Sequence, residues 1–421
     1  MSAPPIRQAA PRPEDFLPSL YDNLSDPYPL YRSYRDAGTL HRIAGTDAGR
    51  EPEWLVFGYE PAASILADRT FGRRAAVAYA GSGPPPPLVP ARFTNLGRLV
   101  DNWLVFMDPP RHTGLRTLIA DQFVVRLKDR RLPDAVARIA RELGASLSGR
   151  AEIELVADFA APLPMRVILE TMGVPASDQD ALREWALALQ NGSSFRPGNR
   201  AERLAVAERA AGELDAYFRE QVIRRRQQHH DDLLGDLIRA ELDGQSLTDD
   251  ELVGTCSHLL TSGHEASTNA VCKGVLTLLR HPDALATLRE RPELMPAAVD
   301  ELIRYDAPVQ LVTRWAYADR EVDGYRIGRG DKVTVVLGAA NRDPRRFAEP
   351  DTLRLDRGER RHGGFGMGIH YCLGNALGRM QVGAGLSTVI GMLPELTVAG
   401  PVPYARDVVF HGPERLPLRR R

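Results

Sequence analysis

The sequence has few cysteines and no long hydrophobic run. Three cysteines in 421 residues (Cys256, Cys272 and Cys372) cannot form a disulfide framework, which indicates a reducing compartment. There is no run of about 18 apolar residues of the kind that spans a membrane. The N-terminus, which reads MSAPPIRQAAPRP, has no apolar core of a signal peptide. These absences predict a cytoplasmic protein without a secretory leader or a membrane anchor.

An excess of charge of one sign is also missing. The net charge is −1, and 43% hydrophobic with 26% charged residues is the composition of an ordinary globular protein. Bulk charge therefore gives no indication of nucleic-acid or membrane binding. The length by itself would allow two or three domains.

The most informative stretch is a single cysteine framed by glycines, in residues 365–379, which read FGMGIHYCLGNALGR. Glycines let the backbone take conformations that other residues avoid, and they let a flat group approach closely. An apolar helical pattern begins after Cys372, so the thiol is expected near a helix N-terminus, where N–H groups and the helix dipole stabilise a thiolate. The pattern indicates a thiolate that binds a metal, although a lone cysteine is more often a small buried hydrophobic residue.

A second segment begins with two prolines and carries two cationic side chains. His112 and Arg116 lie four residues apart on one face of a predicted helix. Two cationic donors one turn apart suit a carboxylate or a phosphate. If this pair is considered by itself, the alternative to a ligand-binding site is a basic helix face exposed to solvent.

A capping box at residues 248–251 opens a predicted helix of about thirty residues. Its apolar positions recur with the three- and four-residue spacing of a buried helix. The middle of the helix reads SGHEAST at 262–268, and a charged side chain there needs a partner. A zinc motif of the His-Glu-x-x-His type is excluded because residue 268 is threonine.

Elsewhere the pattern is mainly helical with short strands. Residues 126–242 are almost wholly helical, with one possible lone strand at 151–156 and a flexible turn at 191–199. After Pro308, alternation predicts strands at 309–316, 325–327 and 332–336. Glu301 and Arg304 lie three apart on a helix, a spacing that means little alone because surface ion pairs are common. The predicted fold class is mainly α with small β-sheets.

The cysteine stretch resembles the haem-binding loop of the cytochrome P450 family of haem-thiolate monooxygenases. The matching positions are Phe365, Gly366, Gly368, His370, Cys372, Gly374 and Arg379. Four further segments resemble segments of the family and follow one another in the family's order, at 106–116, 262–268, 301–304 and 341–351. The resemblance covers nearly the whole chain and implies the cytochrome P450 fold, a triangular prism of helices around a buried haem. It implies one domain over 1–421, and the prolines of residues 1–15 predict a flexible N-terminal segment.

The resemblance implies haem b as the cofactor, with Cys372 as the ligand to its iron. A thiolate ligand favours cleavage of the O–O bond. Four residues would neutralise the haem propionates, namely His112, Arg116, Arg314 and His370. The other cofactor-binding residues of the cysteine loop would be Phe365, Gly366 and Gly374. A buried network that supports this loop would consist of Glu301, Arg304 and Arg357.

The middle of the long helix resembles the family's oxygen-binding kink but departs from it at one position. Gly263 and Glu265 match, whereas Ala266 stands where the family usually has a threonine that helps to deliver protons. Three alternatives remain open: Ser267 with ordered water takes this role, a hydroxyl of the substrate does, or the reaction does not need it. A few macrolide-tailoring members carry Glu-Ala-Ser here, which favours the second alternative. The catalytic residues implied are Gly263, Glu265, Ala266 and Ser267.

The resemblance implies an NAD(P)H- and O₂-dependent insertion of one oxygen atom into a C–H bond. We expect a bulky small-molecule substrate, a polyketide- or peptide-like secondary metabolite. Three segments are expected near it: a cover loop at 75–89, a lid at 191–199 and a final hairpin at 408–418. Since the sequence has no flavin or iron–sulfur motif, electrons are expected from a ferredoxin and a ferredoxin reductase. Basic runs at 126–131 and 360–361 are a docking face for this partner or, equally, ordinary solvated surface.

Two rival functional classes compete with this interpretation. The first is a haem protein that recruits a substrate or partner without oxygenating it, which the alanine at 266 motivates. The second is a peroxide-driven enzyme, whose Arg-Pro signature the pair Glu265-Ala266 does not resemble.

Overall fold

Helices make up most of the molecule, and the computed structural model describes residues 11–45, 52–75, 88–193, 198–242, 244–359 and 361–421. The α-helices are Phe16–Asp22, Tyr28–Ala37, Tyr59–Ala67, Thr94–Asp101, Arg111–Lys128, Arg131–Leu147, Pro162–Thr171, Gln179–Ser193, Arg200–Gln227, Leu233–Arg239, Asp249–Ser262, Glu265–Arg280, Pro282–Glu290, Met295–Tyr305, Leu337–Ala340 and Asn375–Val389. The mainly α class with small sheets is confirmed. None of the helices in these ranges combines the length and the apolar character that a membrane span requires.

The strands form one larger sheet and three small ones. They are β1 Leu40–Ile43, β2 Glu53–Val56, β3 Phe71–Gly72, β4 Glu152–Glu154, β5 Glu241–Leu242, β6 Gln245–Ser246, β7 Leu311–Ala316, β8 Arg320–Val322, β9 Tyr325–Ile327, β10 Lys332–Val336, β11 Leu396–Val398 and β12 Pro417–Arg420. The larger sheet has the order β1-β2-β10-β7-β3, in which only the β2–β10 pair is parallel. The small sheets are β11-β12-β4, β5-β6 and β8-β9.

The predicted long helix is broken in the middle. Its two halves, Asp249–Ser262 and Glu265–Arg280, are separated by Gly263 and His264; we call them together the broken helix. A Cβ atom at Gly263 would lie 2.6 Å from the carbonyl oxygen of Leu259, so a larger residue does not fit at the break without a shift. The second half lies in the largest hydrophobic cluster of the protein, where Val271 and Val275 are fully buried. The break is therefore held at a fixed place by the surrounding core.

Two predictions about strands need correction. The strand at 152–154 is not alone, because it pairs with β12 of the tail. The predicted hairpin over 408–418 is wrong in its extent: the tail strand is Pro417–Arg420, and isolated bridges join Tyr404 to Pro413 and Val309 to Phe410.

The N-terminal and lid predictions are corrected in part. Residues 13–15 form a 3₁₀ turn, and Phe16 is fully buried against Tyr34 and Phe57, so order begins before residue 16. The predicted turn at 191–199 begins later than expected, since the helix Gln179–Ser193 continues through its first residues. Residues 1–10, most of the cover loop (76–87), the centre of the lid (194–197) and Arg360 of the second basic run lie outside the described residues.

Candidate active site and cofactor-binding cavity

A cavity of about 310 Å³ lies between the cysteine loop and the broken helix. Predicted site residues that line it from the cysteine side are Arg116, Phe365, Gly366, His370, Cys372 and Gly374. Those that line it from the broken helix are Gly263, Ala266 and Ser267. Much of the remaining wall is apolar, with contributions from Leu104, Ile168, Leu259, Val309 and Val312. The fold thus brings two distant motifs of the sequence to one apolar space.

Backbone contacts fix the shape of the cysteine loop. The N–H of Cys372 donates to the carbonyl oxygen of Phe365 at 2.8 Å, and the side-chain amide of Asn375 donates to the carbonyl oxygen of Cys372 at 2.8 Å. Gly366 and Gly368 have φ angles of 73° and 67°, a region that favours glycine. These two glycines let the chain turn back on itself before the cysteine.

Two opposing effects act on the Cys372 thiol. Burial raises its pKa, whereas the backbone N–H of Gly374 and the guanidinium groups of Arg116 and Arg379 favour the thiolate. The predicted helix N-terminus is in place, since the helix Asn375–Val389 begins three residues later, but burial outweighs its effect. A metal ion that coordinated the sulfur would deprotonate it outright.

A buried histidine and a half-buried histidine meet beside the cavity. The ring centroids of His112 and His370 are 4.3 Å apart. His112 is 1% exposed, and neither of its ring nitrogens has a hydrogen-bond partner within the described chain; the same holds for Nε2 of His370. Buried polar nitrogens normally have partners, so this pair is suited to binding a polar ligand.

Three arginines lie close to the histidine pair. Arg116 donates from Nη2 to the carbonyl oxygen of Tyr371 at 2.5 Å. Arg73 and Arg314 both donate from Nη1 to the carbonyl oxygen of Thr313, at 2.5 and 2.8 Å. We call the five residues the cation cluster: Arg73, His112, Arg116, Arg314 and His370.

Burial and mutual repulsion both act against the positive charges of the cation cluster. Burial, followed by the charge of Arg73, lowers the pKa of Arg314 to about 9, and burial lowers the pKa of Arg73 to about 10. Burial and the surrounding positive charges lower the pKa of His370 to about 2. Buried charge is costly unless it is paired. The carboxylates of a haem would supply that pairing, so the donor set fits the expected cofactor.

The broken helix presents small residues and one hydroxyl to the cavity. Gly263, Ala266 and Ser267 line it, whereas Glu265 is half-buried beside them and does not belong to the described lining. His264 is buried, and its Nδ1 lies 3.0 Å from the carbonyl oxygen of Leu260. The predicted catalytic stretch is therefore split between residues that face the cavity and residues that stand behind it.

The predicted support network is present behind the cysteine loop. The Glu301 carboxylate accepts from Arg304 at 2.7 and 2.8 Å, and both of its oxygens lie 3.1 Å from Nε of Arg357. A neighbouring group escaped the sequence analysis: Asp300 accepts from Nε of Arg379 at 2.7 Å and lies 3.3 Å from Nε2 of His362. The signal for it in the sequence was an acid next to Glu301 on a predicted helix.

Several other sequence features have structural explanations. In the first basic run, Arg126 pairs with Asp231 and Asp236 and Arg131 pairs with Asp231, so much of its charge is neutralised within the protein. Cys256 and Cys272 are fully buried, as packing residues would be. Among the described residues, no group of three or more His, Cys, Asp or Glu side chains could hold a metal ion.

Comparison with known proteins gives a consistent result. A family model described as Cytochrome P450 matches residues 189–392. The chain is 33% identical over 376 residues to the biotin biosynthesis cytochrome P450 of Bacillus subtilis (strain 168), covering 89% of this chain and 91% of the relative. It is 34% identical over 428 residues to the cytochrome P450 monooxygenase PikC of Streptomyces venezuelae, covering 100% and 95%. The crystal structure of P450BioI with acyl carrier protein ligated to hexadec-9Z-enoic acid superposes with a TM-score of 0.85 at 31% identity, covering 95% of this chain and 100% of that chain.

Proposed function

The chain belongs to the cytochrome P450 family and is a P450 monooxygenase, and from this premise we propose that it inserts one oxygen atom from O₂ into a C–H bond of a bulky secondary metabolite. Members of this family use a haem-thiolate cofactor and need O₂ and redox partners. The observation that carries the proposal is one cavity lined by Cys372, by Arg116 and His370 of the cation cluster, and by the break in the long helix.

The cofactor proposed for this cavity is haem b. Cys372 would hold the iron, and His112, Arg116, Arg314 and His370 would bind the carboxylates. The sequence has no Cys-x-x-Cys-His attachment motif, which favours a haem that is bound without covalent links to the chain. When bound, a haem with a thiolate ligand activates O₂ for insertion into a C–H bond. Phe365, Gly366 and Gly374 would form the surface against which the macrocycle packs.

The chain's own contribution to proton delivery would come from the broken helix. Gly263 and Ala266 would form the groove that binds oxygen. Because Ala266 has no hydroxyl, this groove is wider and less polar than one that contains threonine. The Ser267 hydroxyl lines the same cavity and can donate or accept a proton through ordered water. The half-buried carboxylate of Glu265 stands next to them as a proton source. A hydroxyl on the substrate is the alternative donor, and the open groove leaves room for it.

The substrate proposed is a large, mostly apolar molecule of polyketide or peptide type. The apolar part of the cavity wall suits such a molecule, because ligand sites for small molecules are mostly apolar with a few placed polar groups. The C-terminal tail packs against this part of the wall, because Phe410 forms an antiparallel β-bridge with Val309, and Val309 lines the cavity.

The electron donors proposed are a ferredoxin and a ferredoxin reductase, and the location proposed is the cytoplasm. The thiol of Cys372 has to stay reduced to serve as a ligand, and donors that use NAD(P)H work in the same reducing compartment.

The test is turnover of the haem-loaded protein in three separate reactions. A panel of macrolactones is incubated with ¹⁸O₂, NADPH, ferredoxin and ferredoxin reductase, then with hydrogen peroxide alone, and then with neither. We expect an ¹⁸O-labelled hydroxylated product only in the first reaction, and none from a Cys372→Ala variant. Equal turnover with peroxide alone would favour the peroxide-driven class. Spectral binding of a macrolactone without any product would favour the class that recruits a ligand without oxygenating it.

A further inference from the structure

Two guanidinium groups from different parts of the chain converge on one acceptor. Arg73, just after β3, and Arg314, in the middle of β7, both donate to the carbonyl oxygen of Thr313. Arg73 also donates from Nε to the carbonyl oxygen of Val105 at 2.8 Å, and Val105 lines the cavity. Arg73 is therefore held directly behind the cavity wall, beside an arginine that the family resemblance had already indicated.

The surroundings do not neutralise these two charges. Within the part of the chain that the structure describes, the hydrogen bonds of both guanidinium groups go to uncharged acceptors, namely the carbonyl oxygens of Val105 and Thr313 and the hydroxyl of Thr313. Asp108 is the acid that acts on both, but its oxygens accept from the hydroxyl of Tyr317 at 2.6 Å and from the backbone N–H of Arg73 at 3.0 Å. Like charges this close repel, and an anion placed between them and the histidine pair would stabilise all of them.

We propose that Arg73 is a further residue for binding the cofactor, which supplies positive charge to a haem carboxylate beside Arg314. This inference rests on the proposed function, because it requires haem in the cavity. The proposal adds Arg73, which directly follows β3, to the cationic residues that the resemblance already implied. Those residues lie on the helix Arg111–Lys128, on β7 and on the cysteine loop. The competing explanation is that Arg73 has a purely structural role, in which its hydrogen bonds link the segment at Val105 to the strand at Thr313.

The experiment compares two variants at this position that both keep a hydrogen-bond donor. Arg73→Gln removes the charge, and Arg73→Lys keeps it. Arg74→Gln is the matched control, because Arg74 is the next residue, is partly exposed and pairs with Asp101 at 3.1 Å, outside the cation cluster. For each holoprotein, the rate of haem transfer to excess apomyoglobin and the midpoint reduction potential of the haem iron are measured.

We expect Arg73→Gln to lose haem at least about tenfold faster than the wild type, the effect of one charge-assisted hydrogen bond. Its midpoint potential should fall, because a positive charge that opposed the ferric state is gone. Arg73→Lys should keep the potential of the wild type, and Arg74→Gln should match it in both measurements. If Arg73→Gln cannot be loaded with haem but Arg73→Lys can, the charge is required and the proposal stands.

Two results would overturn the inference. One is a haem-transfer rate and a potential in Arg73→Gln that equal those of Arg74→Gln. The other is an equal defect in Arg73→Gln and Arg73→Lys with no change in potential, which is what a purely structural tie predicts. Neither result would affect the proposed function, which is tested on the wild type, by its formation of a thiolate-bound haem and by its turnover.

Discussion

Replacing Glu301 by glutamine tests how the fold holds the cysteine loop. The side chain of Glu301 is 3% exposed and that of Arg304 is fully buried, and the carboxylate bonds both Arg304 and Arg357. It also accepts the backbone N–H of Arg354 at 2.9 Å. One negative charge thus neutralises two guanidinium groups and anchors the segment that leads to Cys372.

The magnitude follows from this burial. Removing one partner of a buried ion pair costs about 3–5 kcal/mol, because the other charge stays buried and uncompensated. The Glu301→Gln change leaves two such charges and turns an amide donor toward a guanidinium donor. Exposed pairs contribute about 0–1 kcal/mol. Glu293, which is 64% exposed and pairs with the exposed Arg291, is therefore the control for the same substitution.

The assay is equilibrium unfolding in urea, followed by far-ultraviolet circular dichroism, with haem content measured on the same preparations. We expect the free energy of unfolding to fall by at least about 3 kcal/mol in Glu301→Gln, together with a loss of haem, and by less than about 1 kcal/mol in Glu293→Gln. A Glu301→Gln protein as stable as Glu293→Gln would refute the argument that this charge holds the loop.

Three further predictions concern the cavity and its supports. Gly368→Ala should sharply reduce haem incorporation, because a Cβ atom there would lie 1.8 Å from the backbone carbonyl oxygen of Leu66. The control is Gly97→Ala, in the helix Thr94–Asp101 and outside the cavity lining, whose Cβ position has open space around it and which should fold with haem; equal haem content in the two would contradict this. Lys273→Met should lower the free energy of unfolding by about 3–5 kcal/mol, because the buried ammonium group lies 2.7 Å from the Asp306 carboxylate, which would lose its partner. Urea unfolding measures this change, and a decrease below about 1 kcal/mol would show that the pair contributes little to stability. Ala266→Thr should not raise the product formed per NADPH consumed, and a large gain would show that the alanine is a defect rather than an adaptation.

The parts of the site that the sequence predicts are those encoded in short, contiguous motifs. The cysteine loop, the capping box at Thr248 and the Glu301–Arg304 pair each depend on fixed local spacings, and the structure contains them where the spacings place them. The helical class follows from periodicity for the same reason.

The parts that the sequence does not predict depend on contacts between distant segments. Arg73 joins the cation cluster only because β3 pairs with β7, which carries Arg314. Asp300 becomes a partner of Arg379 only when two helices pack together. The tail strand likewise pairs with strand residues about 20 and 260 positions earlier, so its extent could not be read from its own residues.

Whether Cys372 binds the haem iron is decided by the difference spectrum of the reduced, carbon-monoxide-bound protein. We expect the red-shifted Soret band of a thiolate-bound haem in the wild type and in Cys256→Ser, whose cysteine is fully buried in the core, and its loss in Cys372→Ser. A well-folded wild type that shows only the shorter-wavelength band of ordinary haem proteins would contradict the assignment of Cys372 as the ligand, as would a Cys372→Ser variant that kept the red-shifted band.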